Sequence, residues 1–241
     1  MIATRERPII FSGPMVRAIL DGRKTQTRRT IMPGKSQTGW LSSETIHGKV
    51  IDWTKGPGGW WAMAVEGGHI GSVRCPYGKP GDRLWVRETW AAVPNTAGCE
   101  KYGAGFDPKR SAMEQYRAGV IFDPDGYRYR ATWTKCHDVS WRSPIHMPRK
   151  ASRILLEVVS VRVERLQEIS EDDAQAEGVE QFPGSPYWKG EMHPKKGVPK
   201  SRPCARDAYQ DLWKSINGPG SWEANPWVWV VEFKRVEGGK G

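Results

Sequence analysis

The segment Ile154 to Leu166 constrains the fold more than any other stretch, because Val159, Val161 and Val163 alternate there with Ser160, Arg162 and Glu164. A period of two sends the two sets of side chains to opposite faces of a sheet, so the segment predicts a long, half-buried strand at the sheet's centre. The chain offers partners for it. Trp227 to Val236 is an apolar strand whose late charges, Lys234 and Arg235, limit edge pairing. Arg83 to Trp90 follows the turn signal Pro80-Gly81-Asp82 with aromatic and β-branched content. Tyr127 to Trp133 alternates aromatic and cationic residues, which strand parity divides between a face that stacks or packs and a face that meets solvent or an anion.

Helix signals are fewer. Ser12 and Pro14 open a helix carrying Met15, Val16, Ile19 and Leu20, which Asp21-Gly22 closes before an extended Lys24 to Thr30. Ser170 to Asp173 resembles a capping box and starts a short helix through Ala174, Ala176 and Glu177, ended by Gly178. Ala205, Ala208, Tyr209, Leu212, Trp213 and Ile216 mark an amphipathic helix that Asn217-Gly218-Pro219-Gly220 stops. Between these elements lie insertions at about 32–80, with a hairpin, at about 95–125, and at 182–203, the last read as a mobile loop rich in Pro, Gly and Lys. Many strands and few helices predict one α+β domain over 1–241, β-barrel-like rather than doubly wound, and no Gly-rich phosphate loop follows a strand.

A chain of 241 residues with 38% hydrophobic and 27% charged residues is long and apolar enough for its own core. No apolar run approaches the roughly 18 residues of a membrane span, and the start lacks a signal-peptide core, so a soluble, cytoplasmic protein without a membrane partner is expected. A net charge of +10 favours polyanions or nucleotides, and 13 Trp suit base stacking as well as the more usual core packing. Cys75, Cys99, Cys136 and Cys204 lie far apart without a CxxC pair, and His47, His69, His137 and His193 fall in unrelated contexts. Free thiols, no metal and no cofactor are therefore expected.

Gly22 to Arg29 gathers a turn, an amine, hydroxyls and guanidinium groups directly after a helix. With a strand beginning near Gln26, Thr27 and Arg29 share a face, and Lys24 in the turn is able to fold back over the Thr27 hydroxyl; the alternative is a solvated basic turn. Gly22-x-Lys24-x-x-Thr27-x-Arg29 resembles the signature of the ASCH domain, a small β-barrel family similar to PUA domains. Many members carry Glu where this chain has Thr27, whereas those that hydrolyse N4-acetylcytidine are similar in having Lys and Thr at these places. Their third catalytic residue is a Glu in a short helix after a central strand, a place that Glu177 takes here. Gly81-Asp82-x-Leu84 and Val230 to Lys234 also resemble family elements, and the whole chain is similar to the longer ASCH proteins often encoded by phages and prophages. The match covers the start, 81–90, 150–180 and 227–236.

The resemblance implies a PUA-like β-barrel and a metal-independent amidohydrolase that removes the acyl group from N4-acylated cytosine, cytidine or a related nucleotide. Thr27 is then the nucleophile and Lys24 its base, while Glu177 orients Lys24, holds a water or, protonated, bonds to the base. Further candidates for the substrate cavity are Phe11, as a stacking platform or as core; Arg29; Glu88, in the cavity or paired with an Arg; Trp90, as an aromatic platform; and His146, as a donor or as the tie of a loop. The rival expectations are an RNA-binding module of PUA-like type and an ASCH-type ribonuclease.

Overall fold

The structure, a computed structural model, describes residues 4–31, 50–55, 60–65, 68–92, 127–133, 140–192 and 197–236. In chain order the strands and helices are β1 (Glu6–Ile10), α1 (Gly13–Leu20), β2 (Gln26–Thr30), β3 (Val50–Lys55), β4 (Trp60–Val65), β5 (Gly68–Arg74), β6 (Arg83–Arg87), β7 (Trp90–Ala92), β8 (Tyr127–Tyr129), β9 (Leu155–Arg165), α2 (Glu171–Ala176), β10 (Trp188–Met192), β11 (Pro199–Arg202), α3 (Ala205–Asn217) and β12 (Trp227–Arg235).

The alternating segment is the middle strand of a five-stranded sheet of order β1-β6-β9-β12-β2. β1 and β6 run parallel and every other pair is antiparallel. One detail departs from simple alternation. Glu232 pairs with Ser160 and Phe233 with Val158, so Val159 is an extra residue in β9 and points out, 49% exposed. The bulge inverts parity: Leu156 and Val158 before it and Val161 after it face the same core.

β12 is buried on both faces, which explains its unbroken apolar run. Trp229, Val231 and Phe233 join a core under α1 with Phe11, Ile19 and Leu84, while Val228 and Val230 join a second core with Ala174 of α2 and Ala208, Tyr209 and Trp213 of α3. The fold is thus α+β, with helices on both sides of one sheet.

Among the described residues the sheet does not close into the expected barrel, and β1 and β2 are its edges. Those edges are tied by a side chain rather than a backbone ladder, since Arg29 Nη2 donates to the Ile10 carbonyl at 2.6 Å. Within the described part of the first insertion, β3, β4 and β5 form an antiparallel meander. The insertion at about 95–125 lies outside the described residues. Residues 182–203 are no bare loop: β10 and β11 pair as a hairpin against α3, where the Arg202 guanidinium grips Asp211. The strand predicted through Tyr127 to Trp133 stops at Tyr129, and Arg130–Thr132 turn as a 3-10 helix, so parity does not segregate the arginines from the aromatic rings there.

No helix among the described residues is long and apolar enough to cross a membrane.

Candidate functional site

The site begins where β2 leaves its turn. Gly22 takes the left-handed conformation (φ 75°) that ends α1, and the Lys24 backbone N–H donates to the Ala18 carbonyl, drawing the turn against the helix. α2 is placed from the other side. Ser170 caps it by accepting from the Asp173 N–H at 3.1 Å, and at its far end Thr25 N–H donates to the Ala176 carbonyl at 2.9 Å. Lys24 and Glu177 consequently face each other across an isolated β-bridge, though 153 residues separate them. Gly178 makes this approach possible. It has φ 87°, and a Cβ there would stand 2.8 Å from the Lys24 Cβ and 2.9 Å from the Ala18 Cβ.

Lys24 and Glu177 form a buried ion pair: Nζ donates to Glu177 Oε2 and to the Glu177 carbonyl, each at 2.8 Å, with side-chain exposures of 0% and 2%. Burial depresses the Lys24 ammonium below the ordinary lysine value, and the Glu177 carboxylate opposes part of that fall. A neutral amine has two N–H groups and one lone pair. Two acceptors are present, both from Glu177, and no third acceptor to Nζ occurs among the described residues, so the neutral form is fully satisfied with its lone pair to spare. The ammonium form instead leans on the Phe11 ring, 5.6 Å from Nζ.

Behind Glu177 lies a charge network that the sequence did not suggest. Arg28, with no exposed side-chain surface, donates to Glu164 at 2.9 Å and Asp173 at 2.8 Å, and its Nη1 stands 3.4 Å from Glu177 Oε1. Arg162 links Asp173 to Glu164, Glu232 and Gln26. Burial raises the Asp173 carboxyl, but the hydrogen bonds and charges of Arg28 and Arg162 outweigh it and hold that group below its usual value. Strand parity contains the only hint: register across β12 puts Thr27 and Arg29 on the face of Val231 and Trp229, and Arg28 on the opposite face with Val230.

A cavity of about 290 Å³ opens beside the pair. Phe11, Thr27, Arg28, Arg29 and Glu177 line it, and Tyr209, Leu212, Trp213 and Ile216 of α3 close it with the helix face that sequence periodicity marks as apolar. Thr27 is only 2% exposed, and its hydroxyl has no hydrogen-bond partner among the described residues. Burial, reinforced by the Glu177 charge, drives the Tyr209 phenol well above its ordinary value, so it stays protonated and a donor. Phe11 belongs to the core, packing on Phe233 with ring centroids 6.1 Å apart, and also lines the cavity. Arg29 also lines the cavity, its guanidinium 5.4 Å from the Phe11 centroid.

Three expected cavity residues belong elsewhere. Glu88, 1% exposed, is held by Arg153 through two hydrogen bonds of 2.9 and 3.0 Å, the arginine pairing that competed with a substrate role. Its neighbour Thr89 reaches the cavity instead, because β6 ends at Arg87 and the chain turns before β7. Trp90 is buried in a small cluster with Met147 and Ala151 and meets Tyr127 edge-on. His146 is exposed on a 3-10 turn whose first residue, Pro144, is the one that lines the cavity.

Thr27 and Glu177 thus line one small cavity with the guanidinium groups of Arg28 and Arg29, whereas Lys24 is not itself a lining residue and meets the site through its contact with Glu177. Among the described residues, no group of three or more His, Cys, Asp or Glu is placed to hold a metal ion. Cys75 and Cys204 are free thiols, and burial pushes Cys75 up to about 12, far from a reactive thiolate. No family model, no curated protein and no solved structure matches this chain.

Proposed function

We propose that the protein is an amidohydrolase that removes the acyl group from N4-acylated cytosine or cytidine, with Thr27, Lys24 and Glu177 as its catalytic unit. The reaction class comes from the resemblance of Gly22-x-Lys24-x-x-Thr27-x-Arg29 to the ASCH signature. The observation that carries it is the 2.8 Å contact between Lys24 and Glu177 beside a cavity that Thr27 lines. At about 290 Å³ the cavity sits at the low end of small-molecule sites, a size for one base with a short acyl group rather than a folded polymer.

In the proposed mechanism Thr27 Oγ1 attacks the acyl carbonyl carbon while its proton passes to the lone pair of neutral Lys24, a form that burial favours and the Glu177 charge opposes. Glu177 fixes the amine by accepting both of its N–H groups. Arg29, at the cavity wall, supplies positive charge for the oxyanion. Collapse of the tetrahedral intermediate breaks the C–N bond, Lys24 returns the proton to the departing N4, and water then hydrolyses the acyl-threonine ester. The Phe11 ring, with Lys24 Nζ and the Arg29 guanidinium 5.6 and 5.4 Å from its centroid, is the apolar surface for the pyrimidine.

The test is incubation of chelator-treated protein with N4-acetylcytidine, followed by chromatography for cytidine. Conversion that persists in chelator is expected. Folded protein that yields no cytidine, or activity lost to chelator and restored by zinc, overturns the proposal.

A further inference from the structure

The cavity does not use the arginine and aromatic residues of 127–133 and 140–153. Between Tyr127 and Leu156 the sole acidic residue is Asp138, whereas Arg128, Arg130, Lys135, Arg142, Arg149, Lys150 and Arg153 supply positive charge. Two of these cations are neutralised, Arg149 by Glu6 and Arg153 by Glu88. Arg130, Arg142 and Lys150 are exposed and have no carboxylate partner among the described residues.

The exposed cations lie against rings. Arg130 stands 5.5 Å from the centroid of Trp141 and Arg142 stands 5.3 Å from that of Trp90, while Trp133 meets Trp141 edge-on at 6.0 Å. A guanidinium resting on an indole keeps its outward N–H groups for an anion, and the partly exposed rings of Trp133 and Trp141 offer flat apolar surface beside it. A rigid scaffold holds this arrangement: β7 pairs with β8, Arg142 and Trp90 exchange backbone hydrogen bonds of 2.7 and 3.3 Å, and the Tyr129 hydroxyl donates to the Ala151 carbonyl. The face also shares a rim with the cavity, because Thr89 lines the cavity and its carbonyl accepts from Arg130 N–H at 2.9 Å.

We infer that the Arg130–Trp141–Arg142 face binds a single-stranded nucleic acid, its phosphates on the arginines and its bases against the indole rings. Exposed arginines alone would suit any polyanion. Rings interleaved with them favour a ligand that alternates anionic groups with flat aromatic ones, and only an unpaired strand presents its bases to be stacked.

The inference stands apart from the amidohydrolase reading and is tested without turnover. Unmodified, fluorescently labelled single-stranded RNA and DNA of mixed sequence are titrated with the full chain by anisotropy at several salt concentrations, with a duplex of equal length and heparin as competitors. At least one single strand is expected to bind, with an affinity that falls steeply with salt, and the strand binds more tightly than the duplex. The paired change Arg130→Ala with Arg142→Ala, at two exposed positions, is expected to weaken binding about tenfold or more and to flatten the log–log salt slope by about one to two. Trp141→Ala is expected to weaken it about tenfold with the salt slope kept, and Trp141→Phe to restore most of the loss. Absence of strand binding at low salt overturns the inference, as does binding that the arginine pair does not affect. Displacement by heparin with no response to Trp141→Ala overturns it too, since that marks a surface for acidic polymers or acidic proteins.

Discussion

Glu177 accepts from Lys24 through a carboxylate oxygen and its own carbonyl, so one residue fixes the position of the amine and offsets part of the proton affinity it loses to burial. The direction of a pH effect follows. Burial lowers Lys24 and the Glu177 charge holds it partly up; Glu177→Gln removes the opposing charge, and Lys24 falls further. A lysine base acts in its neutral form, so the rise of kcat/KM with pH is expected to move to lower pH in Glu177→Gln, on whatever activity remains. A pH–rate profile checks this, and a rise that stays in place or moves to higher pH contradicts it. Linkage has the matching sign: between the depressed value and the ordinary one the unfolded chain holds more protons on Lys24, so this group's contribution to stability increases as pH rises through that window. Removing the carboxylate altogether leaves the buried Lys24 without its carboxylate partner, while Arg28 keeps Glu164 and Asp173, and Glu177→Ala is expected to cost about 3–5 kcal/mol in denaturant unfolding. At this scale the motif spacing made Lys24 and Thr27 legible, and the helix signal at Ser170 located Glu177. Glu88 and Trp90 fall outside the cavity because the strand expected through Trp90 ends at Arg87 and the chain turns at Thr89, and His146 because Pro144 is the residue of its 3-10 turn that lines the cavity; sequence does not show which neighbour a turn aims inward. Arg28 and Asp173 escaped notice because their pairing spans 145 residues.

Elements position these residues by close backbone approach more than by length. The turn after α2 is the tightest instance, with Gly178 between Lys24 and Ala18. Gly178→Ala adds a methyl where backbone-anchored carbons already crowd it and forces a left-handed residue to carry a Cβ. It is expected to lower stability by about 1–3 kcal/mol and to reduce turnover by displacing Lys24. Equal thermal melts and equal rates for the variant and the parent contradict this. The existence of α1, α2, α3, β6, β9 and β12 was legible from apolar spacing and caps. The bulge at Val159 was not, since an extra residue in a strand shows only in the partner's register, and Val159, Val161 and Val163 read as one face although Val159 points outward. The β10–β11 hairpin was hidden for a different reason. Its composition is that of a loop, and its order comes from α3 and the Arg202–Asp211 pair rather than from its own apolar content.

Across the whole molecule, the site exists because distant segments meet at the β2 edge of one sheet. The α+β class follows from the balance of element types in the sequence, but the strand order does not: β1 pairs with β6 across an interval holding β2 to β5, and among the described residues an open edge stapled by Arg29 takes the place of barrel closure. The long-range pairings β1–β6 and β9–β12 bring Phe11, Thr27 and Glu177 to one cavity from three parts of the chain, with the arginine-rich face at its rim. Thr27 is the proposed attacking group within this assembly. The direct measurement is cytidine release from N4-acetylcytidine by the parent protein, Thr27→Ser and Thr27→Ala side by side, with cytidine binding followed in each. Thr27→Ser is predicted to keep measurable turnover, and Thr27→Ala to lose on the order of a thousandfold or more while still binding cytidine. Near-normal turnover by Thr27→Ala would contradict the claim and give the attack to a water held by Glu177.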